Sequence, residues 1–180
     1  MSEYMFYSGS SPMPMEKFSA LYRIMEYSFP PTERGSERFH YSEFERREFR
    51  CLCYEPEGIP AAFMNYYDLE KNGLVFVEHF AVDESLRGQG RGSDMLQRFM
   101  EHYCSSLIVL EVEPPEGEAE RRRIAFYQRM GMHLNDGEYF QPEFYGKCAA
   151  LPLRLMTTRP LSKADFDGVM STIHREIYRK

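Results

Sequence analysis

Apolar residues recur along this chain at two spacings that take turns. In "MEKFSALYRIMEY" Phe18, Leu21, Ile24 and Met25 stand three or four apart, the period of an amphipathic helix, and "SFPPTERGS" closes it. "SERFHYSEFERREF" sets Phe39, Phe44 and Phe49 among charges, with Ser36 placed as N-cap, and predicts a second helix. A first strand is expected near "EYMFYS". "RCLCYE" and "IPAAFMNYYDLE", on either side of the turn "PEG", predict two antiparallel strands, and Asn72 and Gly73 form a hairpin turn into a fourth, "LVFVEHFAV". The rest reads helix ("RGSDMLQRFMEHY"), buried strand ("SLIVLEVE"), then helix ("EGEAERRRIAFYQRM") with Gly131 as C-cap. "GEYFQPEFYG" and "ALPLRLMTT" look like closing strands, and an amphipathic helix with Ser162 as N-cap ends the chain. The class is α/β with a mixed sheet. No repeat or low-complexity tract interrupts it, so residues 1–180 are expected to form a single domain.

Composition narrows the classes. The 180 residues are 43% hydrophobic, 28% charged and 15% aromatic, an ordinary globular balance. A net charge of -6 argues against nucleic acid as a partner, because that binding draws on dense basic surface. No basic segment followed by an apolar run opens the chain, and no stretch approaches a membrane span, so no membrane partner is expected and a cytosolic protein is. Cys51, Cys53, Cys104 and Cys148 fit neither a disulfide framework nor a zinc spacing and are read as free thiols, Cys51 and Cys53 as packing on one strand face. The charge says nothing of oligomeric state.

Chemistry concentrates in "VDESLRGQGRGSDML", residues 82–96. A P-loop needs Lys followed by Ser or Thr after its last glycine, and "GRGSDM" lacks them. A dinucleotide fingerprint needs its third glycine where Ser93 stands and a tight turn off the first strand, not the fourth, although Glu111 lies at about the spacing of a ribose-binding acid. A third arrangement fits throughout: a Gly-rich turn whose amides converge on a pyrophosphate at a helix N-terminus, with Arg87 adding charge. The pattern "R-x-x-G-x-G", followed by "RIAFYQRMGM", resembles the GCN5-related N-acetyltransferase (GNAT) family from about Leu74 to Met132, with the two signatures in family order.

The resemblance implies a mixed, mostly antiparallel sheet of about six to seven strands flanked by helices, its fourth and fifth strands splayed to admit acetyl-CoA as cosubstrate, without a metal. The backbone of Phe80, Ala81 and Val82 would run beside the pantetheine arm, and Arg87, Gly88, Gln89, Gly90, Arg91, Gly92 and Ser93 would hold the pyrophosphate. Many members carry Asn where this chain has Glu120, so the cofactor arm would be met differently here. Acetyl transfer to an amine needs a base, an acid and an oxyanion donor. Strand alternation puts Glu78 on the face of Phe80 and Val82, with His79 turned away, so Glu78 is the candidate base or a substrate-orienting carboxylate, and His79 the alternative base. Tyr127 stands where the family's tyrosine protonates the leaving thiolate, and an amide near Phe80 or Ala81 would receive the oxyanion. Phe29, Glu33, Tyr139 and Tyr145, in loops rich in aromatics and carboxylates, are candidates for an amine pocket. The expected reaction moves acetyl to a primary amine of a small molecule or peptide by direct attack in a ternary complex. The alternatives are a non-catalytic acyl-CoA-binding module and an NAD-dependent oxidoreductase.

Overall fold

The computed structural model describes residues 3–31, 34–143 and 150–179. Contacts gather into two units, Met1–Leu69 with Val77–His102, and Glu70–Phe76 with Tyr103–Lys180.

In the first unit β1 (Tyr4–Ser8), β2 (Phe49–Tyr54) and β3 (Ala62–Leu69) form an antiparallel ladder in which Phe6 opposes Leu52 and Leu52 opposes Met64. Nearly every residue of β2 and β3 is buried, as expected of strands covered on both faces. On one face Tyr66 packs edge-on against Phe99 of α3 (Arg91–His102), ring centres 4.8 Å apart. On the other a file of edge-on rings runs from Phe18 of α1 (Met15–Ser28) through Phe44 and Phe49 to Tyr67. Burying each such side chain stabilises the fold by about 1.5–3 kcal/mol. The Phe18, Leu21, Ile24 and Met25 stripe read from the sequence is the buried face of α1. The helix stops at Phe29, which adopts extended geometry because Pro30 excludes the helical region for its predecessor.

The second helix is shorter than its pattern suggests. Ser36 does cap α2 (Glu37–Ser42), its hydroxyl accepting the Phe39 N–H at 3.1 Å, but a 3-10 turn, Glu43–Glu45, follows and Phe49 already belongs to β2. The reason lies in the spacing: phenylalanines five apart advance about 500° round a helix and leave the face they started on.

In the second unit β5 (Leu107–Val112) pairs antiparallel with β8 (Leu151–Thr157), which also carries β6 (His133–Leu134) and β7 (Tyr139–Gln141). The helices here are α4 (Glu118–Arg129) and α5 (Lys163–Glu176), and the Ser162 hydroxyl caps α5 by accepting the Asp165 N–H at 3.2 Å. β4 (Leu74–Val82) contributes its first three residues to this unit and the rest to the other. The sheet runs β1-β2-β3-β4-β5-β8-β6 with β7 on β8, mostly antiparallel, β4 and β5 parallel. Among the described residues the sheet holds seven to eight strands, in keeping with the six or seven expected; the strand without a pattern in the sequence is β6, which has only two residues. No helix among the described residues is long and apolar enough to cross a membrane.

Candidate active site

After Val82 the chain leaves the sheet through a turn stapled by Asp83. Its N–H donates to the Ala61 carbonyl at 2.9 Å, and its carboxylate accepts the Ser85 N–H at 2.9 Å and the Tyr27 hydroxyl at 2.7 Å. The Ser85 hydroxyl, Tyr27 and the Ser85 amide together hold that carboxyl below its ordinary range. Gly88 and Gly90 then take φ of +75° and +77°, the left-handed region where side chains are strained. A Cβ at either would meet nothing within 4 Å, so conformation rather than crowding demands glycine there.

The first helical bond of α3 runs from the Asp94 N–H to the Gly90 carbonyl at 3.0 Å. The amides of Arg91, Gly92 and Ser93 therefore precede the helical ladder, and Gly90 has no side chain with which to cap them. Meanwhile the neighbouring side chains fold back onto the protein. Gln89 donates to the Ser85 carbonyl at 2.9 Å, and Arg91 stacks 5.1 Å from the Tyr54 ring centre. Arg87 reaches the Val82 carbonyl at 3.2 Å and the Ser28 hydroxyl at 3.4 Å, which leaves further guanidinium N–H groups for a phosphate. What the loop offers outward is backbone N–H at a positive helix end, a seat suited to a pyrophosphate.

Before the turn, β4 carries Phe80, Ala81 and Val82, of which Ala81 is buried and the other two half-buried. The side chains of Glu78 and His79 are 8% and 5% accessible, and Glu78 Oε2 lies 3.4 Å from His79 Nδ1. This corrects the expectation that alternation turns His79 away: the two side chains converge. His79 sits under Phe29, edge-on with ring centres 4.8 Å apart, and beside His40 of α2 at 5.1 Å. One nitrogen of each imidazole and one Glu78 oxygen all lie within 4.8 Å of one another. His40 is fully buried, and its Nε2 accepts the Gly35 N–H at 3.0 Å. Burial pushes its pKa down to about 4, against the attraction of Glu78. Nearby, Glu43 accepts the Tyr67 hydroxyl and pairs with Arg46 at 3.2 Å, and burial raises its carboxyl. Sequence reasoning overlooked His40, although it stands one helical turn before Phe44 and so on the buried side.

In the second unit Tyr127 is buried on α4, and burial pushes its phenol up to about 12. The helix ends as expected at Gly131, φ +90°, with the Met132 N–H returning to the Tyr127 carbonyl at 3.0 Å. Glu120 folds over Gly117 at the start of α4, and its Oε2 is sealed from solvent with no hydrogen-bond partner among the described residues. Arg121 donates to the Glu116 carbonyl at 2.7 Å, Arg122 pairs with Glu118 and Arg123 with Glu113, as expected of a solvated face.

The amine-pocket candidates divide. Phe29 lies against the Glu78–His79 pair, whereas Tyr139 is a core residue, 1% exposed, its hydroxyl donating to Glu111. That carboxylate also accepts from Gln141 at 2.8 Å and Tyr178 at 2.9 Å, so Tyr139 packs the second unit rather than lining a pocket. Glu33 and Tyr145 lie outside the described residues.

Residues 16–132 match the model of the acetyltransferase (GNAT) family. A spermine/spermidine N(1)-acetyltransferase of Bacillus subtilis is 27% identical over 96 residues, 47% of this chain and 63% of that protein, so the chain spans about three fifths of the length of the curated relatives it matches. A Bacteroides thetaiotaomicron structure assigned to the GNAT family is 29% identical, with 97% of each chain covered and a TM-score of 0.84. A Paenibacillus lautus diaminobutyrate acetyltransferase, solved with L-2,4-diaminobutyric acid and coenzyme A, shares the fold at 19% identity, TM-score 0.58, over 87% of this chain and 95% of that one. With well over half of its length, residues 16–132, matched by the family model, the chain belongs to the GNAT family of acetyltransferases.

Proposed function

We propose that the protein is an acetyl-CoA-dependent N-acetyltransferase, acting in the cytoplasm as a single catalytic domain on a primary amine of a small molecule or peptide. The observation that carries this is the left-handed Gly88–Gly90 loop at the start of α3, on the same strand exit as a buried carboxylate, Glu78. Bound acetyl-CoA supplies the thioester. The amides from Gly88 to Ser93 hold its pyrophosphate with help from Arg87, and the backbone of Phe80 to Val82 lies along its arm. A lysine-like amine is about 4–5 kcal/mol from its neutral form at pH 7, so a base beside it matters. Glu78 takes the amine proton as the new C–N bond forms, Tyr127 gives its proton to the departing sulfur as the C–S bond breaks, and an amide near Phe80 or Ala81 steadies the oxyanion. Phe29, beside the pair, is the aromatic wall for the acceptor. A cationic acceptor suits a chain of net charge -6, and the matched relatives are named for polyamines.

The test has two arms. Thermal-shift titration with acetyl-CoA, coenzyme A and NADH is expected to give a shift with both CoA species that Gly90→Asp abolishes, because a ligand of the native state raises its apparent stability. Thiol release with spermidine, L-2,4-diaminobutyrate and peptide amines is then expected to fall about 10²-fold or more in Glu78→Gln. No shift with either CoA species well above micromolar concentration overturns the reading. A shift with no thiol release from any amine leaves the non-catalytic module in its place.

A further inference from the structure

The end of α1 meets both halves of the site. Tyr27, in its last turn, donates its hydroxyl to Asp83 Oδ2 at 2.7 Å. The Arg87 guanidinium lies over the Tyr27 ring, 5.9 Å from its centre, and reaches the Ser28 hydroxyl at 3.4 Å. Two residues beyond Tyr27, Phe29 packs edge-on against His79, ring centres 4.8 Å apart. One helical turn thus touches the strand exit that leads into the glycine loop and also the Glu78–His79 pair. That turn needs outside support: α1 has no basic residue in it, and Phe29 leaves it in extended geometry, without the left-handed residue that closes many helices. Arg87 supplies from the loop the positive charge that a helix C-terminus favours. Burial and the bond to Asp83 push the Tyr27 phenol up to about 12, so it remains a donor at neutral pH. Tyr27 is nevertheless 47% exposed, and water competes for these contacts.

We propose that Tyr27 is a positioning residue through which the cofactor loop sets the end of α1. An anion seated on the loop fixes Asp83 and Arg87, these hold Tyr27 and Ser28, and Phe29 is thereby held over the Glu78–His79 pair to receive the amine. With the loop empty, the same contacts open more often and the last turn frays, as exposed hydrogen bonds at helix ends do. The coupling is reciprocal: whatever factor coenzyme A adds to the affinity for the amine, the amine adds to the affinity for coenzyme A. The inference rests on the reading that the loop binds coenzyme A and that Phe29 walls the acceptor, and its test separates the two.

Coenzyme A, which binds without turnover, is the probe, and the Phe29 amide, bonded to the Met25 carbonyl at 3.0 Å, is the reporter. Saturating coenzyme A is expected to slow hydrogen exchange at that amide, followed by NMR, by about fivefold or more in wild type and by less than about twofold in Tyr27→Phe. The variant keeps the ring under Arg87 and removes only a hydroxyl from a half-exposed side chain, so it is expected to fold. In thiol release with spermidine or L-2,4-diaminobutyrate it is expected to raise KM for the amine about fivefold, with kcat within about twofold of wild type. If calorimetry finds no coenzyme A binding to the wild type, the acetyltransferase reading fails and this inference fails with it. If coenzyme A binds but slows Phe29 exchange equally in both proteins, or in neither, only the coupling through Tyr27 is overturned. A variant that loses kcat while KM for the amine stays put overturns it as well.

Discussion

Buried and neutral, His40 makes the first unit sensitive to acid in a way that can be worked out. An unfolded histidine titrates near 6.5, and the folded one only at about 4. Between these values the unfolded chain binds the proton and the folded chain does not, so stability falls as pH drops through that window and is intact above it. At pH 5 the unfolded form is about 1.5 units below its pKa and the folded form about one unit above its own, a linkage of about 2 kcal/mol. For a protein of this length that is a fall of about 4–8 °C in Tm between pH 7 and pH 5. Other groups titrate in the same interval, and Glu43, whose carboxyl burial raises, acts with the opposite sign. The clean quantity is therefore the difference between wild type and His40→Gln, which has nothing to protonate but keeps the bond to Gly35. Thermal denaturation of both at pH 7, 6 and 5 is expected to show the wild type losing the extra 4–8 °C. Parallel declines would refute the argument and mean that His40 is protonated in the folded state or exposed to water.

Two further outcomes follow from the geometry. Because burial keeps the Tyr127 phenol protonated to about pH 12, Tyr127→Phe is expected to lower kcat by about 10²-fold or more at every pH from about 6 to 10. A wild-type rate that falls above pH 9 on a basic limb missing from the variant would contradict this. Gly9→Ala would set a Cβ 2.6 Å from the Phe44 carbonyl oxygen, a backbone atom that cannot swing aside, so a loss of about 1–3 kcal/mol in denaturant unfolding is expected. An unchanged midpoint would show that the turn after β1 gives way.

How far the sequence announces this structure depends on how local the cause is. The glycine turn, the Ser36 and Ser162 caps, the Gly131 stop and β4 from Leu74 to Val82 all appear where residue types predict them, since each is decided by neighbours a few positions away. Tyr139 was misplaced because its partner Glu111 is 28 residues distant and nothing in "GEYFQPEFYG" points to it. The Glu78–His79 convergence was missed for a related reason: alternation describes a regular strand, whereas these side chains answer to α2 and to Phe29, brought over them by tertiary packing. Glu78 itself could be read from pattern and family resemblance; what surrounds it could not.

The thiols of Cys51 and Cys53 lie inside the first unit, wholly buried, and burial drives both away from ionisation. Since only the thiolate is alkylated, neither reacts until β2 is uncovered, while Cys104 is exposed from the outset. The protein thus carries its own chemical clock: once exposed thiols such as Cys104 are modified, slow labelling of Cys51 and Cys53 times the opening of the very ladder that supports Glu78.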